Sequence, residues 1–422
     1  MSERAFQFDI VIVGAGPAGI AAACAAAESG ERVAVVDDTP WLGGQIWRGQ
    51  QARPSVSQAQ QWLEKFRRSG ATLLDRTSVI AAPENNLLLA EHPDGEREIR
   101  WEKLVLATGA RELFLPFPGW TLPGVTGAGG LQTLAKHGWP VSGKKVVIAG
   151  TGPLLLAVAD SLKKYGAHVF SIAEQAPFSR VAGFGLKLLA HPGKIFQGIG
   201  LKLRLAGVPY RCGIWPVKAE GADEVCSVTL TNGRETWMEK CDLLACGFGL
   251  VPNVELPLAL GCELSGSFVR VGQWQDTSVK GVYCAGEPTG IGGTECALTE
   301  GRIAGYAAGG QDAKAEALFK PRASWHRFRA ALAETFALRN ELKSLAADDT
   351  LLCRCEDVAL GLVKTFGGWR DAKLQTRCGM GACQGRVCGA AAKVIFGWGM
   401  ESVRPPVLPA RVGSLMTTDF DP

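Results

Sequence analysis

The apolar and polar positions near the start of the chain indicate a strand, a helix and a second strand. Residues 9–13 form an apolar run that is typical of a strand buried in a parallel sheet. An Ala-rich helix is predicted from about residue 17, and Gly30 follows it as a helix-ending residue. A second apolar strand covers residues 32–37. The pattern predicts one βαβ unit, in which a helix joins two parallel strands.

The same order of elements recurs in the middle of the chain. Strands are predicted at residues 145–150 and 168–172, with a helix between them. The further predicted elements are an amphipathic helix at 58–68, strands at 104–109, 225–230, 242–245 and 281–286, and a helix at 294–308. Strands that alternate with helices in this way predict an α/β fold with parallel sheets.

The carboxyl-terminal part departs from this pattern. Residues 309–322 are expected to form a linker, and the next helix carries Trp325, Phe328, Leu332 and Phe336 on one face. Beyond that helix the elements become short and cysteines cluster. We therefore expect a small third domain at this end.

Three glycines connect the first predicted strand to its helix. Gly14 permits a tight turn, Gly16 lets the backbone approach a pyrophosphate, and Gly19 lets the helix pack close to the strand. Pro17 and Ala18 lie in the same turn, where the free N–H groups of a helix N-terminus attract phosphate. The turn therefore predicts a dinucleotide site, and a glycine turn without a ligand is the alternative.

Two acids end the second predicted strand. Asp37 lies 18 residues after Gly19, where a carboxylate accepts hydrogen bonds from ribose hydroxyls, and Asp38 is adjacent. An acid at this place argues against a 2′-phosphate on the nucleotide.

Three further motifs carry a resemblance to known flavoproteins. They are Gly43-Gly44-Gln45 after the second strand, Ala107-Thr108-Gly109 at a strand end, and residues 283–287, which include Gly286 and Glu287. Over most of residues 9–308 the chain resembles flavoproteins with two dinucleotide-binding domains, Rossmann-like and of the glutathione-reductase type. The resemblance implies that FAD binds at all these residues and at the first turn. It also implies that Glu287, in place of the usual Asp, contacts the ribityl chain.

The second turn departs from the glycine pattern. Gly150-Thr151-Gly152 follows a strand, but Leu155 replaces the third glycine and removes the close packing of helix on strand. Glu174, two residues past the predicted return strand, could hold a ribose. Two interpretations stay open, a vestigial pocket and a second nucleotide such as ADP, ATP or NAD. FMN at a subunit interface is a further alternative.

Five of the 13 cysteines lie within 36 residues, and they are Cys353, Cys355, Cys378, Cys383 and Cys388. Thiolates suit an iron–sulfur cluster or zinc. No histidine follows His326, which excludes a mixed Cys/His site, and a Cys-x-Cys pair is tight for structural zinc. An iron–sulfur cluster is favoured, with zinc and coincident core cysteines as alternatives.

Most of the other cysteines are expected to be small core residues. They are Cys24, Cys212, Cys226, Cys241, Cys246, Cys262, Cys284 and Cys296. Residues 41–50 contain no cysteine, whereas a disulfide reductase of this architecture needs a cysteine pair beside its flavin. The sequence therefore argues against disulfide reduction.

The cysteine segment resembles the bacterioferritin-associated-ferredoxin type of 2Fe–2S domain, in the Cys-Gln-Gly-x-x-Cys form that is fused to flavoprotein dehydrogenases. This resemblance implies that the iron ligands are Cys353, Cys355, Cys383 and Cys388, with Cys378 as a fifth candidate.

Motifs at residues 300–304 and 403–409 extend the resemblance to essentially the whole chain. The chain resembles the FAD subunit of opine oxidases, D-hydroxyproline dehydrogenases and hydrogen cyanide synthase. That implies a heteromeric enzyme acting on CH–NH or CH–NH2 donors, in which a substrate-oxidising FAD subunit passes electrons to this one. A small ferredoxin-like subunit is a further expected partner.

We predict no catalytic residue, because no acid–base pair stands beside the flavin motifs. A self-sufficient NAD(P)H-dependent FAD/2Fe–2S oxidoreductase and a non-enzymatic redox sensor are the alternatives.

The predicted domain bounds follow from these assignments. We expect an FAD-binding domain at 1–112 and 241–320, an NAD(P)-binding-like domain at 113–240, and a linker helix with an iron–sulfur domain at 321–422. A basic, apolar insertion at 183–208 is expected to be a solvated face, with docking of a partner or of a flavin phosphate as alternatives.

Charge and targeting signals narrow the function classes. The net charge of +4 on 422 residues gives no argument for a nucleic-acid partner. Residues 1–8 have no secretory pattern, and no apolar run is long enough to span a bilayer. We expect a cytoplasmic protein, with peripheral attachment to the inner membrane as the alternative.

Overall fold

A computed structural model describes residues 5–48, 57–399 and 403–416 of the chain. The strands, in chain order, are β1 (Ala5–Val13), β2 (Val33–Val36), β3 (Thr72–Leu74), β4 (Ser78–Glu84), β5 (Leu87–His92), β6 (Gly95–Leu106), β7 (Ala110–Glu112), β8 (Val125–Gly127), β9 (Lys145–Gly150), β10 (His168–Glu174), β11 (Tyr210–Cys212), β12 (Trp215–Glu220), β13 (Ser227–Thr231), β14 (Thr236–Lys240), β15 (Leu243–Gly247), β16 (Leu250–Pro252), β17 (Leu264–Ser265), β18 (Phe268–Val269), β19 (Val282–Cys284), β20 (Leu351–Cys353) and β21 (Val358–Ala359). The α-helices are α1 (Pro17–Ala26), α2 (Gly44–Trp47), α3 (Gln58–Arg68), α4 (Ala128–Lys136), α5 (Leu154–Lys164), α6 (Phe178–Lys187), α7 (Pro192–Arg204), α8 (Glu255–Ala259), α9 (Thr294–Ala308), α10 (Asp312–Glu316), α11 (Phe319–Thr335), α12 (Leu360–Val363), α13 (Trp369–Thr376), α14 (Cys388–Phe396) and α15 (Val412–Met416).

The chain divides into two compact units. Unit 1 comprises residues 1–111, 252–329 and 402–422, and unit 2 comprises residues 112–251 and 330–401. Within the described ranges, no helix has both the length and the apolar character that a membrane span requires.

Unit 1 is built on a mixed seven-stranded sheet in the order β3-β2-β1-β6-β5-β4, with β19 also paired to β6. Strands β3, β2, β1, β6 and β19 are parallel, whereas β5 pairs antiparallel with both of its neighbours, β6 and β4. All four residues of β2 and the last four of β1 are buried, as expected for parallel strands covered on both faces. The best-buried part of the sheet therefore lies at the carboxyl end of β1, where the first glycine turn begins.

Helices α1 and α9 approach each other closely because small residues face one another. A Cβ on Gly301 would lie 2.1 Å from the carbonyl oxygen of Ala18, and one on Gly305 would lie 2.2 Å from that of Ala22. No side chain can be accommodated at those distances. Glycine at both positions therefore lets α9 pack directly on the start of α1.

Unit 2 contains a parallel sheet in the order β11-β10-β9-β15-β8 and an antiparallel sheet in the order β12-β13-β14. The cysteine segment belongs to the same unit, since Cys353 and Cys388 share one cluster of buried residues with Trp120 and Phe248. The indole N–H of Trp120 donates a hydrogen bond of 2.7 Å to the carbonyl oxygen of Leu351. The core of unit 2 thus supports the strand that carries the first cysteine.

The structure confirms the α/β fold with Rossmann-type parallel sheets. Helices α3 and α9 and strand β9 have the bounds that the sequence predicts. The return strand β10 is longer than predicted and includes Glu174 as its last residue. The finer domain bounds stay a prediction, as does the assignment of a separate 2Fe–2S domain.

The expectation of a linker at residues 309–322 is wrong. Helix α10 and the start of α11 occupy this segment. Leu318 and Phe319 pack against the buried side chains of Ile303 and Tyr306. Burial of these apolar side chains explains why the segment is helical rather than extended.

The scattered cysteines mostly follow the expectation. Six are buried, Cys212 is half-buried and Cys226 is exposed. The expectation is wrong for Cys226, which directly precedes β13 next to the buried Val225. Adjacent residues in extended chain point to opposite sides, so only one of the two can enter the core.

Candidate functional site

The turn between β1 and α1 has the geometry of a phosphate-binding turn. Gly14 has a φ of +107°, and a Cβ there would lie 2.3 Å from the carbonyl oxygen of Ala107. Gly19 is equally confined, since its Cβ would lie 1.8 Å from the carbonyl oxygen of Gly14. Gly16 instead faces open space and gives α1 no side-chain cap. The first N–H groups of α1 are therefore open to an anion.

The motif after β2 folds back onto this turn. A Cβ on Gly44 would lie 3.0 Å from the Cα of Gly16. The N–H of Gly43 donates a hydrogen bond of 2.8 Å to the carbonyl oxygen of Ala15. Pro17 begins α1, where a missing N–H costs no helical hydrogen bond. Gln45 lies exposed in α2.

The strand-end motif at Ala107, Thr108 and Gly109 is held from two sides. The N–H of Ala107 donates to the carbonyl oxygen of Val13 at 2.9 Å. The Thr108 hydroxyl donates to the carbonyl oxygen of Asn253 at 2.6 Å, and the Asn253 N–H donates to that of Gly109 at 3.0 Å. These bonds place the motif beside the first turn.

Asp37 is oriented by backbone donors. Its Oδ2 accepts a hydrogen bond of 2.6 Å from the N–H of Ala15, and its Oδ1 accepts from the N–H and hydroxyl of Thr39 at 2.9 and 2.6 Å. A carboxylate oxygen can accept two hydrogen bonds, so Oδ2 can accept one more from a ribose hydroxyl. Asp38 is exposed, and partial desolvation of its carboxyl group, and then the nearby charge of Asp37, raise its pKa.

Glu287 carries a buried oxygen that no described residue satisfies. Its Oε1 accepts a hydrogen bond of 3.1 Å from the N–H of Gly293, while Oε2 has no partner among the described residues. Burial raises the pKa of Glu287 to about 7. A Cβ on Gly286 would lie 2.8 Å from the Cβ of Ala18, so this acid lies near the start of α1. Because buried polar atoms are rarely unpaired, Oε2 fits a hydroxyl group of a bound molecule.

Glu300 is the centre of a buried network that sequence reasoning missed. Its Oε2 accepts hydrogen bonds from the Gly286 N–H at 2.9 Å and from the Thr289 hydroxyl at 2.8 Å. Its Oε1 lies 2.8 Å from Nε2 of His326 and accepts from the guanidinium of Arg329 at 3.4 Å. The network ties the turn after β19 to helix α11.

Glu300 also belongs to a group of three side chains that could hold a metal ion. Ligand atoms of Cys296, Glu300 and His326 fall within 4.8 Å of one another. The Arg329 cation already neutralises the carboxylate, so we assign this group to structural positioning. In the sequence, the motif at residues 300–304 was the one indication that Glu300 matters. No periodicity connected that motif with α11.

The second turn, after β9, is closed by residues of unit 2 itself. The hydroxyl of Thr151 lies 3.0 Å from Oε1 of Glu174 and 3.2 Å from the carbonyl oxygen of Phe336. The Gly152 N–H donates a hydrogen bond of 2.6 Å to Oε2 of Glu174. Burial raises the pKa of Glu174 to about 7. Gly150 is confined, since a Cβ there would lie 1.9 Å from the carbonyl oxygen of the residue that ends β15.

The carboxyl-terminal cysteines meet in two adjacent groups. The Sγ atoms of Cys353, Cys378 and Cys388 lie within 4.8 Å of one another, and all three residues are buried. Cys355 and Cys383 form a second pair in hydrogen-bond contact. A hydrogen bond with Cys378, and then burial, raise the pKa of the Cys388 thiol, so thiolates here need a compensating cation. This donor set suits a soft metal or an iron–sulfur cluster.

Gly381 allows the loop that holds Cys383 to lie close to Cys355. A Cβ on Gly381 would lie 2.4 Å from the Cβ of Cys355. Any larger residue would separate the loop that holds Cys383 from β20. The choice of four ligands among the five cysteines stays a prediction.

Comparison with known proteins identifies the family of this fold and site. The family profile described as pyridine nucleotide-disulphide oxidoreductase matches residues 8–301. The chain belongs to this family. It is therefore an oxidoreductase of the flavoprotein class with a Rossmann fold.

Two curated relatives align over nearly the whole chain. Hydrogen cyanide synthase subunit HcnB of Pseudomonas aeruginosa is 34% identical, and the alignment covers 90% of each chain. An opine oxidase subunit of Rhizobium meliloti is 31% identical, over 97% of this chain and 98% of the relative. These homologues confirm the relationship that the sequence motifs predict.

A solved structure shares the fold. L-proline dehydrogenase from P. horikoshii superposes with a TM-score of 0.69 at 21% identity, over 98% of this chain and 80% of that chain. At 21% identity this likeness shows a shared fold and nothing further.

Proposed function

We propose that the chain is the FAD- and iron–sulfur-binding subunit of a heteromeric flavin-dependent dehydrogenase or oxidase for amines or amino acids. Opines, D-hydroxyproline or glycine are the substrate class. A substrate-oxidising FAD subunit passes electrons to this subunit, which relays them to an external acceptor. The observation that carries the proposal is a phosphate-binding turn and a thiol cluster in one chain, aligned over 97% of its length with the opine oxidase subunit of Rhizobium meliloti. Both relatives are named as subunits.

The residues around the first turn fit FAD. The open side of Gly16 and the uncapped start of α1 suit the pyrophosphate. Asp37 would hold a ribose, and the unpaired Oε2 of Glu287 would accept a ribityl hydroxyl. Bound FAD would supply two-electron chemistry, and the chain's part is to hold it and to exclude water.

The iron ligands proposed for unit 2 are Cys353, Cys355, Cys383 and Cys388. The buried triad supports a metal here, and it also brings in Cys378 as a competitor. Cys383→Ser should abolish the visible and electron-paramagnetic signals of the cluster, whereas Cys378→Ser and the distant Cys24→Ser should keep them. Loss of the cluster in Cys378→Ser with retention in Cys383→Ser would assign the triad as ligands instead.

Reconstitution with the partner subunit tests the function as a whole. The native complex is copurified, its subunits are identified by mass spectrometry, and dye reduction is measured with an opine, D-hydroxyproline or glycine. Turnover should need both subunits. An iron-containing, flavin-loaded complex that reduces the dye with none of these substrates would contradict the proposal.

The closed second turn supports a relay over direct oxidation of NAD(P)H. A nucleotide phosphate would approach the hydroxyl of Thr151 and the N–H of Gly152. The hydroxyl already contacts Glu174 and the carbonyl oxygen of Phe336, and the N–H already donates to Glu174. Anaerobic addition of NADH or NADPH to the isolated subunit should leave the flavin absorbance unchanged. Rapid bleaching would favour the self-sufficient NAD(P)H oxidoreductase.

A further inference from the structure

The side chain of Trp369 rests on three glycines of the cysteine segment. Trp369 is the first residue of α13 and is half-buried. A Cβ on Gly379 would lie 2.7 Å from the Cζ2 atom of its indole, and a Cβ on Gly385 or Gly389 would lie 3.3 Å from the same atom. One edge of the indole therefore lies against three glycines at once. We call Gly379, Gly385 and Gly389 the glycine seat.

The glycine seat belongs to the turns that carry the cysteines. Each of its glycines lies one or two residues after a cysteine, and these cysteines are Cys378, Cys383 and Cys388. Gly379 and Gly385 have φ angles of +83° and +77°, in the left-handed region that favours glycine. Both turns thus depend on glycine twice, for the backbone conformation and for the room that the indole takes.

Backbone N–H groups of these turns are directed at cysteine sulfurs. The N–H of Gly379 donates a hydrogen bond to Sγ of Cys353. The N–H of Gly385 and those of the next two residues donate to Sγ of Cys383. Both cysteines are among the four proposed iron ligands. Hydrogen bonds to the sulfurs are one of the factors that set the reduction potential of an iron–sulfur cluster.

An indole at this place could act on a cluster in two ways, by excluding water or by fixing these N–H groups. The reduced cluster carries one more negative charge, and both water and N–H donors stabilise it. Loss of a water shield would therefore raise the potential, whereas loss of the donors would lower it. Cys355 is exposed, so Trp369 does not seal the thiol cluster from solvent. Its contact with the glycines that carry the donors favours the second way.

We propose that Trp369 is a positioning residue that holds the N–H groups of Gly379 and Gly385 against cluster sulfurs and so keeps the reduction potential high. The inference rests on the proposed iron–sulfur site and deepens it, because it names a side chain that sets the potential at which the subunit relays electrons. Trp369 acts through the backbone of the cysteine turns, whereas the thiolates hold the iron.

A redox titration of the iron-loaded, full-length protein tests the inference, with the reduced cluster followed by electron paramagnetic resonance. Trp369→Ala should lower the equilibrium constant for reduction on the order of tenfold, which is about 59 mV for one electron. Its resonance should also shift from that of the wild type. Trp369→Phe keeps a smaller ring on the glycine seat and should lower the potential less. Leu374→Ala, at an exposed residue of the same helix, is the matched control and should keep the wild-type potential.

The iron-to-protein ratio and the thermal midpoint show whether each variant is folded and loaded. If Trp369→Ala retains no iron, the comparison of Trp369→Phe with Leu374→Ala decides. An unchanged potential in the iron-loaded Trp369 variants would overturn this inference alone. So would a raised potential, since Trp369 would then act by excluding water. A wild-type protein that binds no iron would overturn the proposed function, and this inference with it.

Discussion

At the scale of single residues, the half-buried carboxylate of Asp37 and the buried carboxylate of Glu300 organise the first site through backbone N–H groups. Asp37 accepts the N–H of Ala15, and Glu300 accepts the N–H of Gly286. Hydrogen bonds to an ionised acceptor are roughly twice as strong as neutral ones. Both acids therefore hold a turn in shape before any ligand arrives, and each can be tested separately.

Asp37→Ala should weaken the retention of FAD. A hydrogen bond from a ribose hydroxyl to a charged acceptor contributes on the order of 1.5–3 kcal/mol, which raises the dissociation constant about 10- to 100-fold. The flavin-to-protein ratio after gel filtration measures the effect. Asp9→Ala, which removes an exposed ion pair with Arg32 in the same sheet, is the control. Full flavin occupancy in Asp37→Ala would contradict the assigned role.

Glu300→Ala should lower the free energy of unfolding by about 3 kcal/mol, because it leaves buried donors and the Arg329 cation without their acceptor. Glu300→Gln keeps one acceptor oxygen and should cost less. Urea unfolding measures both. Removal of the exposed carboxylate in Glu64→Ala is the control and should change little. Equal losses in Glu300→Gln and Glu300→Ala would mean that charge, and not hydrogen-bond acceptance, is what matters.

The buried Glu174 predicts a dependence of stability on pH. Its pKa is raised by burial from an ordinary value of 4.5 to about 7. Between these values the unfolded chain has lost the proton while the folded chain keeps it, so the free energy of unfolding falls as pH rises from about 4.5 to about 7. At about 1.4 kcal/mol per pH unit, the full contribution approaches roughly 3 kcal/mol.

Glu174→Gln should flatten that part of the pH profile, because the amide does not titrate. Urea unfolding of both proteins between pH 5 and pH 8 gives the difference in slope. Glu287 is also shifted to about 7 and contributes to both profiles, so it cancels in the comparison. Identical slopes would show that Glu174 is ionised in the folded protein.

At the scale of secondary-structure elements, the contact between α1 and α9 positions the turn that we propose binds FAD. Gly301→Ala should force the helices apart, because its Cβ would lie 2.1 Å from the carbonyl oxygen of Ala18. We expect a loss of about 1–3 kcal/mol of unfolding free energy, as in other overpacked cores, together with weaker flavin retention.

The matched control for this contact is Gly198→Ala in α7, where no atom lies within 4 Å of an added Cβ. Alanine in an open helical position should stabilise by about 0.5–1 kcal/mol. Thermal denaturation of both variants separates the two effects. A destabilised Gly198→Ala beside a neutral Gly301→Ala would contradict the close approach of α1 and α9.

At the scale of the whole molecule, the two proposed cofactor sites belong to different compact units. The residues that fit FAD lie in unit 1, and the cysteines lie in unit 2. Removal of iron with a chelator should therefore abolish the cluster spectrum and lower the thermal midpoint of unit 2, whose core includes three cysteines of the carboxyl-terminal group. The flavin-to-protein ratio should stay unchanged. Release of flavin in proportion to iron would contradict this independence.

The sequence alone determined the features that depend on neighbouring residues. The spacing of Gly14, Gly16 and Gly19 predicted the phosphate turn, because the steric limits of a tight turn act within a few residues. Helices α3 and α9 were predicted with their observed bounds. For α3 the signals are local, since its apolar residues recur at helical spacing and Ser57 caps its start. The homology to the opine oxidase and hydrogen cyanide synthase subunits followed from such motifs.

The tertiary structure decided the contacts between distant segments. Glu300 and His326 are 26 residues apart, and Thr151 and Phe336 are 185 residues apart. The cysteine triad likewise includes Cys378, which the sequence left as a fifth candidate. Hydrophobic periodicity in the sequence indicates which face of a helix or strand is apolar, but not which other element packs against that face. Such contacts are set by how sheets and helices pack, and only the folded chain defines that packing.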